Sequence, residues 1–267
     1  MAKTFALFNQ KGGVGKTTTA INLSAGVARL GRKVLLIDMD PQGNATSGMG
    51  VNSENFENTL YDVIANNLDI SETIISIDNT LSLLPADPNL VGLEVMLARE
   101  RNWEQILKDR LSKVSEEYDY IFIDCPPSLG FLSILSLVAA NSVLIPIQSE
   151  YYALEGVSHL FNTIELVKAN HNNDLDIDGV IMTMVDMRNN LAIQVIEEVR
   201  GFFKEKLYET MVPRNVRLAE APSFGQSIYN YDRLSKGAQA YKKLSQEFLK
   251  RQGESIKGKR FFGLFNV

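Results

Sequence analysis

Residues 10–18 read Gln-Lys-Gly-Gly-Val-Gly-Lys-Thr-Thr, which gathers the residue types that hold a polyphosphate. Gly12, Gly13 and Gly15 let the backbone turn its N–H groups toward phosphate oxygens with no side chain in the way. Within the same run, which includes Val14 and Thr18, Lys16 is placed to reach the β- and γ-phosphates and the Thr17 hydroxyl to ligate Mg²⁺. An ordinary phosphate loop has glycine where Gln10 stands and lacks the additional Lys11. A second cation beside phosphates is useful where it neutralises developing negative charge. Lys11 is either a solvated loop residue or, if it cannot curl onto its own nucleotide, a group that reaches one in a facing subunit. Two apolar runs end in carboxylates, Leu36-Ile37-Asp38-Met39-Asp40 and Ile121-Phe122-Ile123-Asp124. Asp124 fits a magnesium site, and Asp40 belongs near the γ-phosphate if its strand ends at the ligand edge of a sheet. From spacing alone, Asp40-Pro41 equally starts a turn and Asp38 equally caps the segment after it.

These residues need strands that deliver them to one edge. Apolar runs predict strands over 4–9, 33–38, 81–85, 118–124, 142–148, 178–185 and 209–212, mostly continuous in Val, Ile, Leu and Phe, as parallel strands covered on both faces are. Amphipathic stretches over 17–30, 91–114, 154–171, 192–207 and 233–252 alternate with them. The alternation implies right-handed crossovers and an α/β fold, a doubly wound, mostly parallel sheet with helices on both faces. No repeat or Pro/Gly-rich linker divides the 267 residues, so one domain over 1–252 is expected, followed by a basic, aromatic tail over 253–267 that is partly disordered or packed on the body.

Bulk properties bound the function. The single cysteine, Cys125, rules out a disulfide framework and reads as a small packing residue; His159 and His171 read as structural or solvated. No stretch reaches the roughly 18 apolar residues that cross a bilayer, and the N-terminus lacks a signal-peptide pattern, so a cytoplasmic protein is expected. Net charge is −5, against a generally basic nucleic-acid binder. Of the 27 Lys and Arg and 32 Asp and Glu, however, 15 and 9 fall from Val180 onward. A basic last third on an acidic body leaves room for a local phosphate-binding patch, beside the simpler reading of solvated helix faces.

Three motifs, Lys11 to Thr18, Leu36-Ile37-Asp38-Met39-Asp40-Pro41-Gln42-Gly43-Asn44 and Ile121-Phe122-Ile123-Asp124-Cys125-Pro126-Pro127, resemble the boxes of the ParA/MinD group of P-loop ATPases with a deviant Walker A motif. The resemblance covers about residues 3–250. It implies ATP and Mg²⁺ as ligands, a dimer that sandwiches two ATP molecules with Lys11 acting across it, and Asp40 orienting the attacking water. The nitrogenase iron protein of the same group needs cluster cysteines that Cys125 alone does not supply.

The segments 150–156, 184–190 and 212–223 are similar to the short chromosomal ParA proteins often called Soj. That similarity implies sequence-independent binding of double-stranded DNA by the ATP dimer through Arg188 and Arg217, adenine held by Pro213 and Asn215, and hydrolysis that is slow until a ParB-type centromere-binding protein stimulates it. A nucleoid-associated location follows. The tail over 257–265, basic then aromatic, is reminiscent of the membrane-targeting end of the MinD-like, membrane-cycling division regulators, the alternative function; its shortness and glycines weaken a membrane helix.

Overall fold

The computed structural model describes residues 1–52, 56–98, 100–150 and 153–255, without the side chains of 153–159. Seven strands form one sheet: β1 (Lys3–Leu7), β2 (Val34–Asp38), β3 (Ile75–Ser76), β4 (Leu81–Leu84), β5 (Tyr120–Asp124), β6 (Ser142–Gln148) and β7 (Asp176–Thr183). Their order is β3-β4-β2-β5-β1-β6-β7, and only β3 runs antiparallel. The register sets Leu7 and Asp38 on either side of Asp124, so the C-terminal ends of β1, β2 and β5 finish together.

Side-chain alternation along these strands feeds two cores. Phe5, Leu7, Leu36 and Phe122 pack toward one face, under α1 (Lys16–Arg29), α10 (Ile228–Tyr231) and α11 (Lys236–Arg251). Ala6, Ile37, Ile121 and Ile123 pack toward the other, under α5 (Ile106–Ser112), α6 (Phe131–Ala139), α7 (Ala153–Asn170) and α8 (Asn190–Phe203). Both faces are covered, which is why the central strands read as unbroken apolar runs. The fold is the doubly wound α/β arrangement expected from the sequence.

Two expected elements differ. The segment over 209–212 is not a strand: the bridges that flank it, Leu207 with Val180 and Pro213 with Val185, are isolated. Val212 N still donates to Met182 O of β7 at 2.9 Å, but the first two N–H groups turn away, the Glu247 carboxylate accepting from Glu209 N at 2.7 Å and Thr210 N at 2.9 Å. The helix expected over 91–114 is broken into α4 (Leu93–Leu97) and α5, with Asn102 at a φ of 57° between them. Trp103, just beyond that break, stacks on Phe131. Sequence periodicity also passed over β3 and the short helices α2 (Asn44–Gly48), α3 (Leu60–Ala65), α9 (Val216–Glu220) and α10, as well as α6.

The helix that starts at Lys16 is held against the sheet by α11. At their crossing a Cβ on Gly26 would stand 2.1 Å from Ser245 Oγ and 2.5 Å from Tyr229 OH. Nearer the loop, Thr19 Oγ1 and Tyr241 OH share a buried hydrogen bond of 3.0 Å. Beyond α11, Glu254 is tied to the body by Arg32 and by Tyr120 OH at 2.5 Å. The expected tail over 256–267 lies outside the described residues. Gly26→Ala is expected to lower stability by about 2 kcal/mol through overpacking, read as a lower urea midpoint with an unchanged m-value.

Candidate nucleotide site

The loop after β1 is shaped by its glycines and fastened from the neighbouring strands. Gly13 and Gly15 have φ of +76° and +84°, which side chains rarely adopt. Gly15 caps α1 without a side-chain hydrogen bond, so the first amide N–H groups of that helix stay available to an anion. Val14 is buried, and its carbonyl accepts from Thr183 Oγ1 at 2.8 Å. Asn9 Nδ2 donates to Pro146 O at 2.8 Å while its Oδ1 accepts from Lys11 N at 3.0 Å. Gln10, in the position of the missing glycine, donates from Nε2 to Thr163 Oγ1 at 2.9 Å. Strands β6 and β7 and helix α7 therefore set the loop's shape.

The two lysines differ in environment. Lys16 is 6% exposed, and its Nζ donates to the Lys11 carbonyl at 3.2 Å. Burial lowers its pKa, while the nearby acidic groups, Asp124 foremost, oppose that shift. Lys11 lies at the surface, where Nζ pairs with Glu150 Oε2 at 2.9 Å. Thus the structure places Lys16 inside the site and directs Lys11 outward, to a carboxylate of its own chain.

Beneath the loop lie three carboxylates. Asp38 and Asp124, neighbours in register, are both 0% exposed. Asp38 accepts three hydrogen bonds, from Asp40 N at 3.1 Å and from Thr46 N and Oγ1 at 2.8 Å each. Burial nevertheless pushes its pKa up to about 6. Asp124 has no full hydrogen bond on either oxygen. Burial and the nearby Asp38 push its carboxyl well above the usual range; Thr17 and Lys16 act in the opposite sense, and the Thr17 hydroxyl falls outside full hydrogen-bond geometry. Asp40 is 8% exposed and accepts from Gln42 N at 3.0 Å. It does start a turn, and Asp38 does receive a first-turn N–H of α2. Those structural tasks coexist with a position at the ligand edge.

An orphaned, wholly buried carboxylate next to a threonine hydroxyl is an oxygen donor set that suits a hard cation such as Mg²⁺. Thr17 and Asp124 fit the ion expected there. Among the described residues no cluster of three or more His, Cys, Asp or Glu side chains forms a separate metal site. Cys125 is buried, which pushes its thiol up to about 12 and fits the packing role. His171 pairs with Glu104 at 3.5 Å near the end of α7; the His159 side chain lies outside the described residues.

Beside the loop a cavity of about 370 Å³ runs from Gly15 and Thr18 to Pro213 and Asn215, with Met184 and Tyr241 in its walls. Asn215 Oδ1 caps α9 by accepting from Arg217 N at 3.0 Å. Sequence reasoning missed Thr183, which braces the loop, and Met184, held at a φ of 51°. A positive φ on methionine leaves no trace in residue type. It also missed Thr46, whose Oγ1 donates to Asp38 and accepts from Ala86 N at 3.1 Å.

The expected DNA-binding arginines are both paired. Arg188 forms a two-pronged ion pair with Asp186, at 2.9 and 2.7 Å. Arg217 donates to Glu220 at 2.9 Å and lies 3.5 Å from Asp232.

A family model described as an AAA domain matches residues 2–177. The chain is 52% identical over 252 residues to the chromosome partitioning protein ParA of Myxococcus xanthus, covering 94% of this chain and 89% of that one. It is 51% identical to the sporulation initiation inhibitor protein Soj of Bacillus subtilis, covering 92% and 98%. The chain belongs to the ParA/Soj family of partitioning ATPases. A solved structure named cobyrinic acid a,c-diamide synthase from Mycobacterium smegmatis, with bound ADP and magnesium, superposes at a TM-score of 0.83 with 33% identity over 95% of this chain and 96% of that one. One fold serves proteins of different names, and the two relatives at half identity decide the family.

In this ParA/Soj chain the buried acids set a pH dependence. A carboxyl whose folded pKa lies above its ordinary value binds more protons folded than unfolded, so its contribution to stability falls as pH rises through that window. With Asp38 raised to about 6 and Asp124 raised well above the usual carboxylate range, the nucleotide-free protein is expected to unfold at higher urea at pH 5 than at pH 7. Asp124→Asn should flatten that difference; an unchanged difference would contradict the assignment.

Proposed function

We propose that this ParA/Soj ATPase binds ATP and Mg²⁺ at the edge formed by β1, β2 and β5, closes into a dimer, and in that state holds double-stranded DNA without reading its sequence. The observation that carries this reading is the meeting of an open helix N-terminus, a buried lysine and an unpartnered buried carboxylate at one strand edge, beside a cavity sized for a base. Backbone N–H groups of residues 12–18 cradle the phosphates, with Lys16 neutralising the β- and γ-phosphates. Thr17 and Asp124 hold the magnesium ion, which supplies charge neutralisation at the phosphates. The adenine lies in the cavity, against Pro213 and within reach of the Asn215 amide. Asp40, fixed by its turn and by Asp38, orients the attacking water.

Lys11 leaves Glu150 on dimerisation and reaches the nucleotide of the facing subunit. A surface pair of this kind contributes about 0–1 kcal/mol, so exchange for a phosphate is readily driven. Arg188 and Arg217 give up their carboxylates to DNA phosphates on the same grounds. With each arginine neutralised by a neighbour, the two together supply modest attraction until that exchange occurs. Residues 1–252 form the ATPase domain, and 253–267 the tail. A ParB-type partner accelerates a slow basal hydrolysis, after which the dimer opens and DNA is released; the protein is thereby nucleoid-associated.

The test is binding of random-sequence duplex by Asp40→Ala protein, with ATP–Mg²⁺ and with ADP, over a salt series. Binding is expected with ATP only, weakening steeply with salt, and Arg217→Glu should weaken it by tenfold or more on the order of one to three kcal/mol. An ATP-bound dimer that ignores DNA would move the function to the membrane-cycling alternative.

A further inference from the structure

Thr46 lies in α2, six residues beyond Asp40, and is only 4% exposed. Its hydroxyl has one proton to give and lone pairs to accept with, and its neighbours fix which bond is which. Ala86 N can only donate, so Thr46 Oγ1 accepts from it at 3.1 Å and gives its own proton to Asp38 Oδ2 at 2.8 Å. Thr46 N donates to the same carboxylate oxygen at 2.8 Å. The other oxygen of Asp38 accepts from Asp40 N at 3.1 Å. A chain of hydrogen bonds therefore runs from the backbone after β4, through Thr46 and Asp38, to the amide of Asp40.

Shape and placement of the Asp40 turn have different sources. Its shape is local: Asp40 Oδ1 accepts from Gln42 N at 3.0 Å, and Asp40 O from Gly43 N at 2.9 Å. Its placement comes from Met39 N, which donates to Asp124 O at 3.0 Å, and from the Asp38 carboxylate. Of the three hydrogen bonds that hold this carboxylate among the described residues, two come from Thr46. Helix α2 is itself fixed by packing, since a Cβ on Gly48 would stand 2.7 Å from Ile21 Cδ1 and one on Gly50 2.8 Å from Gly225 O. Removing the hydroxyl alone should leave α2 in place and free the Asp38 carboxylate to turn.

We infer that Thr46 is a positioning residue for ATP hydrolysis, its hydroxyl fixing the Asp38 carboxylate and through it the turn that aims Asp40 at the attacking water. The inference rests on the reading of Asp40 given above and names what holds that residue in place. A group that orients water must be held closely, because a misplacement of about 1 Å costs on the order of a hundredfold in rate. Among the described residues no hydrogen bond of Thr46 reaches the loop over 12–18. Its effect therefore falls on turnover and leaves nucleotide affinity alone.

The full chain carrying Thr46→Val, Thr46→Ser or Asp40→Ala tests it, each measured with Mg²⁺ for ATP affinity and for single-turnover hydrolysis. Valine keeps the shape of threonine and removes the hydroxyl; serine keeps the hydroxyl and removes the methyl group. Thr46→Val should bind ATP within about threefold of the unsubstituted chain and hydrolyse it about tenfold or more slowly. Thr46→Ser should recover most of the rate, the opposite of what a packing role would give. Should Thr46→Val fail to fold, Thr46→Ala takes its place. Thr46→Val at the unsubstituted rate, or Thr46→Ser as slow as Thr46→Val, would overturn the positioning role while Asp40→Ala stays slow. Loss of ATP binding in both Thr46→Val and Thr46→Ala would assign the hydroxyl to folding of the site and overturn it too. An Asp40→Ala protein that hydrolyses at the unsubstituted rate would overturn the reading of Asp40 beneath it.

Discussion

Asp38 and Asp124 stand side by side at the ends of two parallel strands, both wholly removed from water, and the arrangement of the site follows from that placement. Burial raises the pKa of both, and the charge of Asp38 adds to the shift of Asp124, because burial and like charge both disfavour ionisation. Asp38 is answered by three hydrogen bonds from the loop that follows it. Asp124 is answered by none, and only the nearby Lys16 and Thr17 oppose its protonation. The fold thus keeps one acid for structure and leaves the other in need of a cation.

The same contrast runs through the loop residues. Thr46 couples Asp38 to the backbone at Ala86, so the turn carrying Asp40 is held to β2 and to the segment after β4. Thr183 ties Val14 to β7, which sets the loop relative to the cavity wall. These contacts use uncharged donors at the edge of the sheet and leave the N–H groups of the helix start open. The two lysines follow the division as well. Lys16 is buried at the start of α1, and Lys11 rests on the exposed carboxylate of Glu150.

The sheet was legible in the sequence because continuous Val, Ile, Leu and Phe runs mark strands covered on both faces, and β1, β2 and β5 lie within a residue or two of the expected spans. The phosphate loop was legible because its chemistry is local: glycines, lysine and threonine act within nine residues. What escaped depends on distant partners. The segment over 209–212 has strand-like residues, but Glu247 in α11 takes the N–H groups of Glu209 and Thr210. The stretch over 91–114 has helical periodicity, yet Asn102 adopts a left-handed conformation beside the Trp103–Phe131 stack. Charge counting favoured solvated faces in the last third. Pairing qualifies the charges there: Arg188 and Arg217 are neutralised by neighbours.

The central claim is that two such sites close on each other through Lys11. Sizing of the wild-type chain and of Lys11→Ala protein, each with a non-hydrolysable ATP analogue and Mg²⁺, tests it most directly, with nucleotide binding measured on both. The account predicts a nucleotide-dependent shift to a dimer for the wild type, and a Lys11→Ala protein that binds the nucleotide but stays a monomer. A Lys11→Ala protein that dimerises as the wild type does would contradict it.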